Sequence, residues 1–225
     1  MRLVVKAFSE ACITTGTLIL LFVVYVLHWT GVQAGAATDG QLDTLQRQWA
    51  GQDVPDRQPA AGPPPPKPYE DGKGLAVMYV PRFGKDWEWP VLEGTRAATL
   101  KKGLGHYTPT ARLGERGNFA VAGHRRTHGD PFKDVPRLRP GDAIVLTDGT
   151  TWFTYRVDTK PYRTVPTDIG VIDPVPRASG YAGPGRYLTL TTCEPEWGSS
   201  HRLIVWAHLD ATRPVTAGRP EALDS

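Results

Sequence analysis

The chain has 225 residues, a formal net charge of +3, 40% hydrophobic residues and 22% charged residues. That balance fits a folded globular domain. Acidic and basic residues are interspersed, and no basic run is dense enough to track phosphates, which argues against a nucleic-acid partner. Arginine outnumbers lysine, and Gly, Pro and Ala are abundant, the composition of a high-GC genome.

Residues 1–10 carry Arg2 and Lys6 and read as a cytoplasmic N-terminus. Residues 11–30 read as a transmembrane signal-anchor. Ala11 to Trp29 holds no Asp, Glu, Lys or Arg, and its centre is the run from Leu18 to Leu27. About 20 mostly apolar residues span a bilayer as a helix. The Lys/Arg bias places the following domain outside the cell on a single-pass anchor. A cleaved signal peptide is the rival reading, since Val32-Gln33-Ala34 has small residues suited to cleavage. Against it, the apolar stretch is long for a signal peptide, and Tyr25 and Trp29 suit interface anchors.

Residues 31–70 read as a juxtamembrane segment and Pro-rich linker. Residues 39–50 can continue the helix, with Leu42, Leu45 and Trp49 at helical spacing and no separate function assigned. Residues 51–70 hold Pro55, Pro59, Pro63 to Pro66 and Pro68, which forbid helix and sheet. An extended spacer is expected there, holding the domain away from the membrane.

Residues 71–212 read as the folded domain, and 213–225 as a C-terminal tail. About 150 residues beyond the anchor and linker suffice for one domain with a core. Strands are predicted at 75–80, 89–93, 118–123, 143–147, 152–158, 187–192 and 203–209. Short helices or turns are expected at 96–102 and 130–138. Asp148-Gly149 is a hairpin signal. Many short strands with close turns predict an all-β, closed or nearly closed barrel.

Cys193 is the one thiol outside the apolar segment, since the other cysteine is Cys12. It ends an alternating run, Thr189-Leu190-Thr191-Thr192-Cys193. Two other strands carry polar groups at their ends: Gly117 to Gly123 runs into His124, and His201-Arg202 opens the last strand. A thiol has a pKa of about 8.5, so a nearby cation favours its reactive thiolate form. A histidine can pass a proton to a leaving amine, and an arginine offers five donors to an oxyanion. Such a trio suits acyl transfer from a peptide bond, provided the three strand ends meet. Taken singly, each residue also has a structural reading: a buried thiol, a loop histidine, a solvated arginine.

The other histidines fit less well. His28 lies in the anchor, and His201 points away from the face of Arg202. His208 shares that face but lies about 20 Å along the strand. His106 sits in a glycine loop, and Thr127-His128-Gly129-Asp130 reads as a turn. His124 and His128 lack the helical His-Glu-x-x-His pattern and a third ligand, so no metal site is expected.

The motif Thr189-Leu190-Thr191-Thr192-Cys193 resembles the TLxTC signature of sortases, the cysteine transpeptidases of Gram-positive cell envelopes. Gly117 to Arg125 resembles their histidine segment, and His201 to Val205 their arginine strand. Val91 to Thr95 and Leu138 to Asp142 also fit. The resemblance covers about residues 75–210 and is nearest to class E, found in actinobacteria. It implies a closed eight-stranded β-barrel with short helices, and the catalytic set Cys193, His124 and Arg202. It implies cleavage of the Thr–Gly bond of an LAxTG sorting signal and transfer to a peptidoglycan-precursor amine such as that of lipid II. Surface proteins would thereby be anchored to the wall. Thr192 would help line the oxyanion site, and Tyr107 would contact substrate. Leu113 stands where proline is expected. No acidic calcium-binding cluster is visible, so no cofactor is expected. Other cell-wall cysteine peptidases fit poorly, lacking their own motifs here, and a non-catalytic barrel module is the remaining alternative.

Overall fold

The structure is a computed structural model that describes residues 2–51 and 68–224, with the backbone alone for 26–31. It opens with one helix, α1 (Arg2–Ala50). Its first part, Arg2–Tyr25, has a mean hydropathy of 1.9 and is wholly unburied, which is long and apolar enough to cross a membrane. Polar groups there are satisfied locally: the Thr14 and Thr17 hydroxyls donate to the carbonyls of Glu10 and Ile13, one turn back.

The second half of α1 continues the helix through 39–50 as expected, but it also packs against the domain, a role the sequence did not assign. Ala34, Thr38, Leu42 and Leu45 are buried, and Trp49 packs beside them. These positions recur at three or four residues, so they form one stripe along the helix. The stripe lies on the barrel, so the helix itself packs against the domain. The expected extended spacer falls almost entirely on 52–67, outside the described residues.

The barrel consists of β1 (Gly74–Tyr79), β2 (Glu88–Glu93), β3 (Leu104–His106), β4 (Gly117–Ala122), β5 (Ala143–Thr147), β6 (Thr151–Val157), β7 (Tyr162–Thr164), β8 (Arg186–Glu194) and β9 (His201–Pro214). A short helix, α2 (Ala97–Leu100), joins β2 to β3. The order β6-β5-β1-β2-β3-β4-β8-β9 closes on itself through β6–β9 pairing, giving the expected eight-stranded ring. β7 is a ninth, three-residue strand beside the first half of β9. The long β9 makes both contacts possible: its start pairs with β7 and its end with β6.

Alternation along the strands decides which side chains fill the barrel. Phe119 and Val121 of β4, Leu188 and Leu190 of β8, and Leu203 and Val205 of β9 point inward. The neighbours of opposite parity point outward. On the outer face of β8 and β9, Ile204 and Trp206 are covered by Val171, Ile172 and Tyr181 from the β7–β8 connection. The Trp206 indole N–H donates to the Val171 carbonyl at 3.0 Å, pinning that connection down. β3 was unmarked by its sequence because glycines surround it. Those glycines permit close packing: a Cβ on Gly105 would sit 2.5 Å from the Gly94 carbonyl oxygen.

Candidate active site

Three adjacent strands, in the order β4-β8-β9, bring the expected trio to one end of the barrel. β8 and β9 are antiparallel, and Cys193 is the register partner of Arg202. Directly opposite residues have Cβ atoms about 4.5–5.5 Å apart. β4 runs parallel to β8, with Ala122 opposite Thr191. The Gly123 N–H continues that ladder to the Thr191 carbonyl at 3.1 Å. Two residues further on each strand come His124 and Cys193, which are therefore level. Parity puts both on the outer face, along with Arg202. Cys193 stands between the histidine strand on one side and the arginine strand on the other.

Local bonds hold each member. The Thr192 hydroxyl donates to the Gly123 carbonyl at 2.8 Å, tying the strand end before Cys193 to the one before His124. Thr192 itself is buried on the inner face, so its hydroxyl serves this tie rather than standing beside the thiol. The Arg125 guanidinium donates to the Cys193 carbonyl at 3.2 Å and pairs with Glu194. Arg202 donates to the carbonyls of Ser199 and His201, both at 3.0 Å, so its guanidinium spans the mouth of the loop after Cys193. Across that loop, Arg126 lies 2.8 Å from Glu196 and its guanidinium sits over the Trp197 ring.

Tyr107 lies on the same outer face, its hydroxyl 3.0 Å from the Thr191 hydroxyl. The buried Thr191, two residues before Cys193 on the same side, thereby fixes a tyrosine beside the site. The sequence marked Thr191 only as part of a strand.

Sequence reasoning also missed His128. Its ring stacks on His124 with centroids 4.7 Å apart. Its backbone has a φ of +53°, the left-handed turn that returns the chain to His124. The one signal for it in the sequence is the spacing His-x-x-x-His. Burial, then the like charge of His128 and that of Lys101, pushes the His124 imidazole below the ordinary histidine range. Burial and Lys101 do the same to His128. Among the described residues no group of three or more His, Cys, Asp or Glu is arranged to hold a metal.

The remaining histidines lie elsewhere. His106 points into the barrel, where it stacks on Phe119 and meets Glu93 at 2.6 Å. His208 pairs with Asp158 away from the trio. His201 contacts Ser200 and Arg163.

A half-exposed thiol flanked by an imidazole and a guanidinium, on a barrel rim bordered by a tyrosine, is equipped for acyl transfer. Known proteins share this framework. A sortase domain profile matches residues 78–210. The chain is 40% identical to Sortase SrtE1 of Streptomyces coelicolor over 98% of its own length, and it spans 61% of that longer protein. It is 33% identical to Sortase SrtE2 of the same organism, covering 96% of this chain and 85% of that one. The structure of sortase E from Streptomyces avermitilis superposes with a TM-score of 0.66 at 73% identity, covering 69% of this chain and 99% of that one. Sortase E1 from S. coelicolor, solved with a tripeptide in its active site, gives 0.64 at 41% identity, covering 68% of this chain and 97% of that one. With a profile match across more than half its length and a 33%-identical relative covered over 85% of its own, this chain belongs to the sortase family, and its relatives include sortases of class E.

Proposed function

We propose that the chain is a membrane-anchored cysteine transpeptidase that cleaves an LAxTG-type sorting signal between Thr and Gly. The acyl group passes to an amine of a peptidoglycan precursor, lipid II, and a surface protein is thereby fixed to the cell wall. The observation that carries this reading is the register of Cys193 against Arg202, with His124 level on the next strand. α1 serves as the anchor, with Arg2 and Lys6 on the cytoplasmic side and the barrel outside.

In the first half-reaction the Cys193 sulfur bonds to the threonine carbonyl carbon. Arg202 donates to the oxyanion that develops on the carbonyl oxygen. The C–N bond to glycine breaks, and the proton that began on the thiol reaches the leaving amine through His124. In the second half-reaction the acceptor amine attacks the thioester. The C–S bond breaks, and the amine proton returns through His124 to the sulfur. Tyr107 borders the groove as a substrate contact, and Thr192 acts by holding the two strand ends together. The test is incubation of the full chain with an LAxTG peptide, with and without an amine acceptor. A thioacyl adduct on Cys193, discharged by the amine, is expected, and absence of any adduct refutes the reading.

The His124 environment fixes a pH dependence. Both productive forms, thiol with imidazole and thiolate with imidazolium, carry one proton between the two groups. The acid limb of kcat/KM therefore reports loss of a first proton from the doubly protonated form. Because burial and neighbouring positive charge weaken proton binding at His124, that limb lies below the ordinary histidine range. His128→Gln removes one of the like charges and moves the limb to higher pH. An acid limb that stays put in that variant refutes the coupling.

A further inference from the structure

The docking of α1 has a direction. Its first seated residue, Ala34, lies against the loop at Gly129, five residues past His124: a Cβ on Gly129 would sit 3.8 Å from that of Ala34. One turn on, the Thr38 hydroxyl donates to the Lys102 carbonyl at 3.4 Å, beside the Lys101 that acts on His124. Leu42 and Leu45 then reach Val77, and Gly74 has no room for a Cβ because Leu45 fills the space. Trp49 ends the stripe over Gly149, in the β5–β6 turn at the opposite end of the barrel. From Ala34 to Trp49 is 15 residues, about 22 Å of helix. The catalytic end of the barrel is thus the end nearest the apolar span.

A second observation points the same way. Outside α1, the exposed large apolar side chains among the described residues are Tyr162, Val165, Ile169 and Trp197. Tyr162 belongs to β7, whose last residue, Thr164, pairs with Arg202, and Val165 and Ile169 follow that strand end. Trp197 lies in the loop after Cys193 and is 69% exposed. Exposed apolar groups therefore gather at the catalytic end. Lys101 and Lys102 are exposed there too, a charge suited to anionic headgroups.

We propose that this end of the barrel rests on the bilayer surface, with α1 as a rigid mount and Trp197, Val165 and Ile169 as the groups in contact with lipid. Ala34 follows Trp29, the aromatic that closes the apolar run, by five residues, about 8 Å of helix. That height is comparable to one headgroup layer, about 5–8 Å thick. Cys193 then opens toward the interface, and the substrates it meets are those whose reacting groups lie close to the membrane. Trp and aliphatic groups at the rim suit such a boundary, where one side is apolar and the other wet.

The proposal rests on α1 spanning the membrane, and its test separates the two claims. The full chain, with Cys12→Ser and Cys193→Ala, receives a single environment-sensitive dye at Trp197→Cys or at Thr150→Cys. It is reconstituted into vesicles of phosphatidylglycerol and phosphatidylcholine carrying headgroup nitroxides. The expected result is strong quenching at 197 and none at 150. Adding Leu45→Asp, which places a carboxylate in the docking seam, abolishes the quenching at 197. In a background without other cysteines, Leu45→Cys with Gly74→Cys forms a disulfide if the mount is seated as described. Equal quenching at the two sites, or none at 197 in a chain that resists alkaline extraction, overturns the surface contact alone. A chain released by alkaline extraction overturns the anchor and the contact together.

Discussion

Replacing Cys193 with alanine abolishes acyl transfer from an LAxTG peptide while the barrel stays folded. The alanine variant has no atom that can form the thioester, so neither half-reaction has its intermediate. Loss of a covalent nucleophile costs a factor on the order of 10⁵–10⁶ in kcat, and what remains comes from substrate binding and oxyanion stabilisation. The change is sterically mild. Cys193 sits on the outer face at the end of β8 and is only partly buried. Its strand is held by backbone pairing with β4 and β9 and by the Thr192–Gly123 bond, none of which uses the sulfur. The melting temperature should therefore match the parent closely. The measurement is product formation by chromatography, with mass detection of the missing adduct and a thermal melt as the folding control. Appreciable turnover by the folded variant would sink the nucleophile assignment.

The barrel was legible in the sequence where strands are long and alternate. β1, β2, β4, β5, β6, β8 and β9 all announce themselves by apolar runs between turn residues. β3 and β7 did not, since three residues carry no period and each gains its structure from a neighbour's free edge. The closeness of Cys193 and Arg202 is nearly a local matter. They flank one loop, so antiparallel pairing of β8 and β9 makes them partners. His124 is different. It comes level with Cys193 through a parallel pairing across some 70 residues of chain, and no spacing in the sequence specifies that register. The family motif supplied what periodicity could not. The stripe from Ala34 to Trp49 was visible as spacing at Leu42, Leu45 and Trp49, but an amphipathic stripe does not say which surface it covers. Here the covering surface is built partly from glycines, Gly74 and Gly149, whose missing side chains make room for Leu45 and Trp49 of the helix. Glycines of that kind read as turns until the partner is known. The sequence marks His128 only as a turn residue for a similar reason: a histidine in a turn looks solvated until its ring is found against another.

Arg202→Lys lowers kcat by about 10²–10³ with a much smaller change in KM, the loss typical of removing a donor to a developing oxyanion. Charge alone predicts otherwise, because lysine keeps it. The geometry decides. One nitrogen of the Arg202 fork already serves two carbonyls, those of Ser199 and His201, and so holds the loop that follows Cys193. On the proposed mechanism its remaining donors serve the substrate carbonyl at Cys193, its register partner. A lysine ammonium is a single point with three rotating donors on a flexible stem, and it cannot hold the loop and face the oxyanion in one plane. If it keeps the loop carbonyls, the oxyanion loses its donor, and if it turns to the oxyanion, the loop loses its tie. Arg202→Ala loses both functions and should be at least as slow. Steady-state kinetics on the LAxTG peptide, run beside thermal melts, separates the roles. Near-parental kcat in the lysine variant would restrict Arg202 to tethering the loop, and the oxyanion would then need another donor. A variant slow in kcat but unchanged in melting places the guanidinium in the transition state, because a group that only steadied the loop would show its loss in stability and KM first.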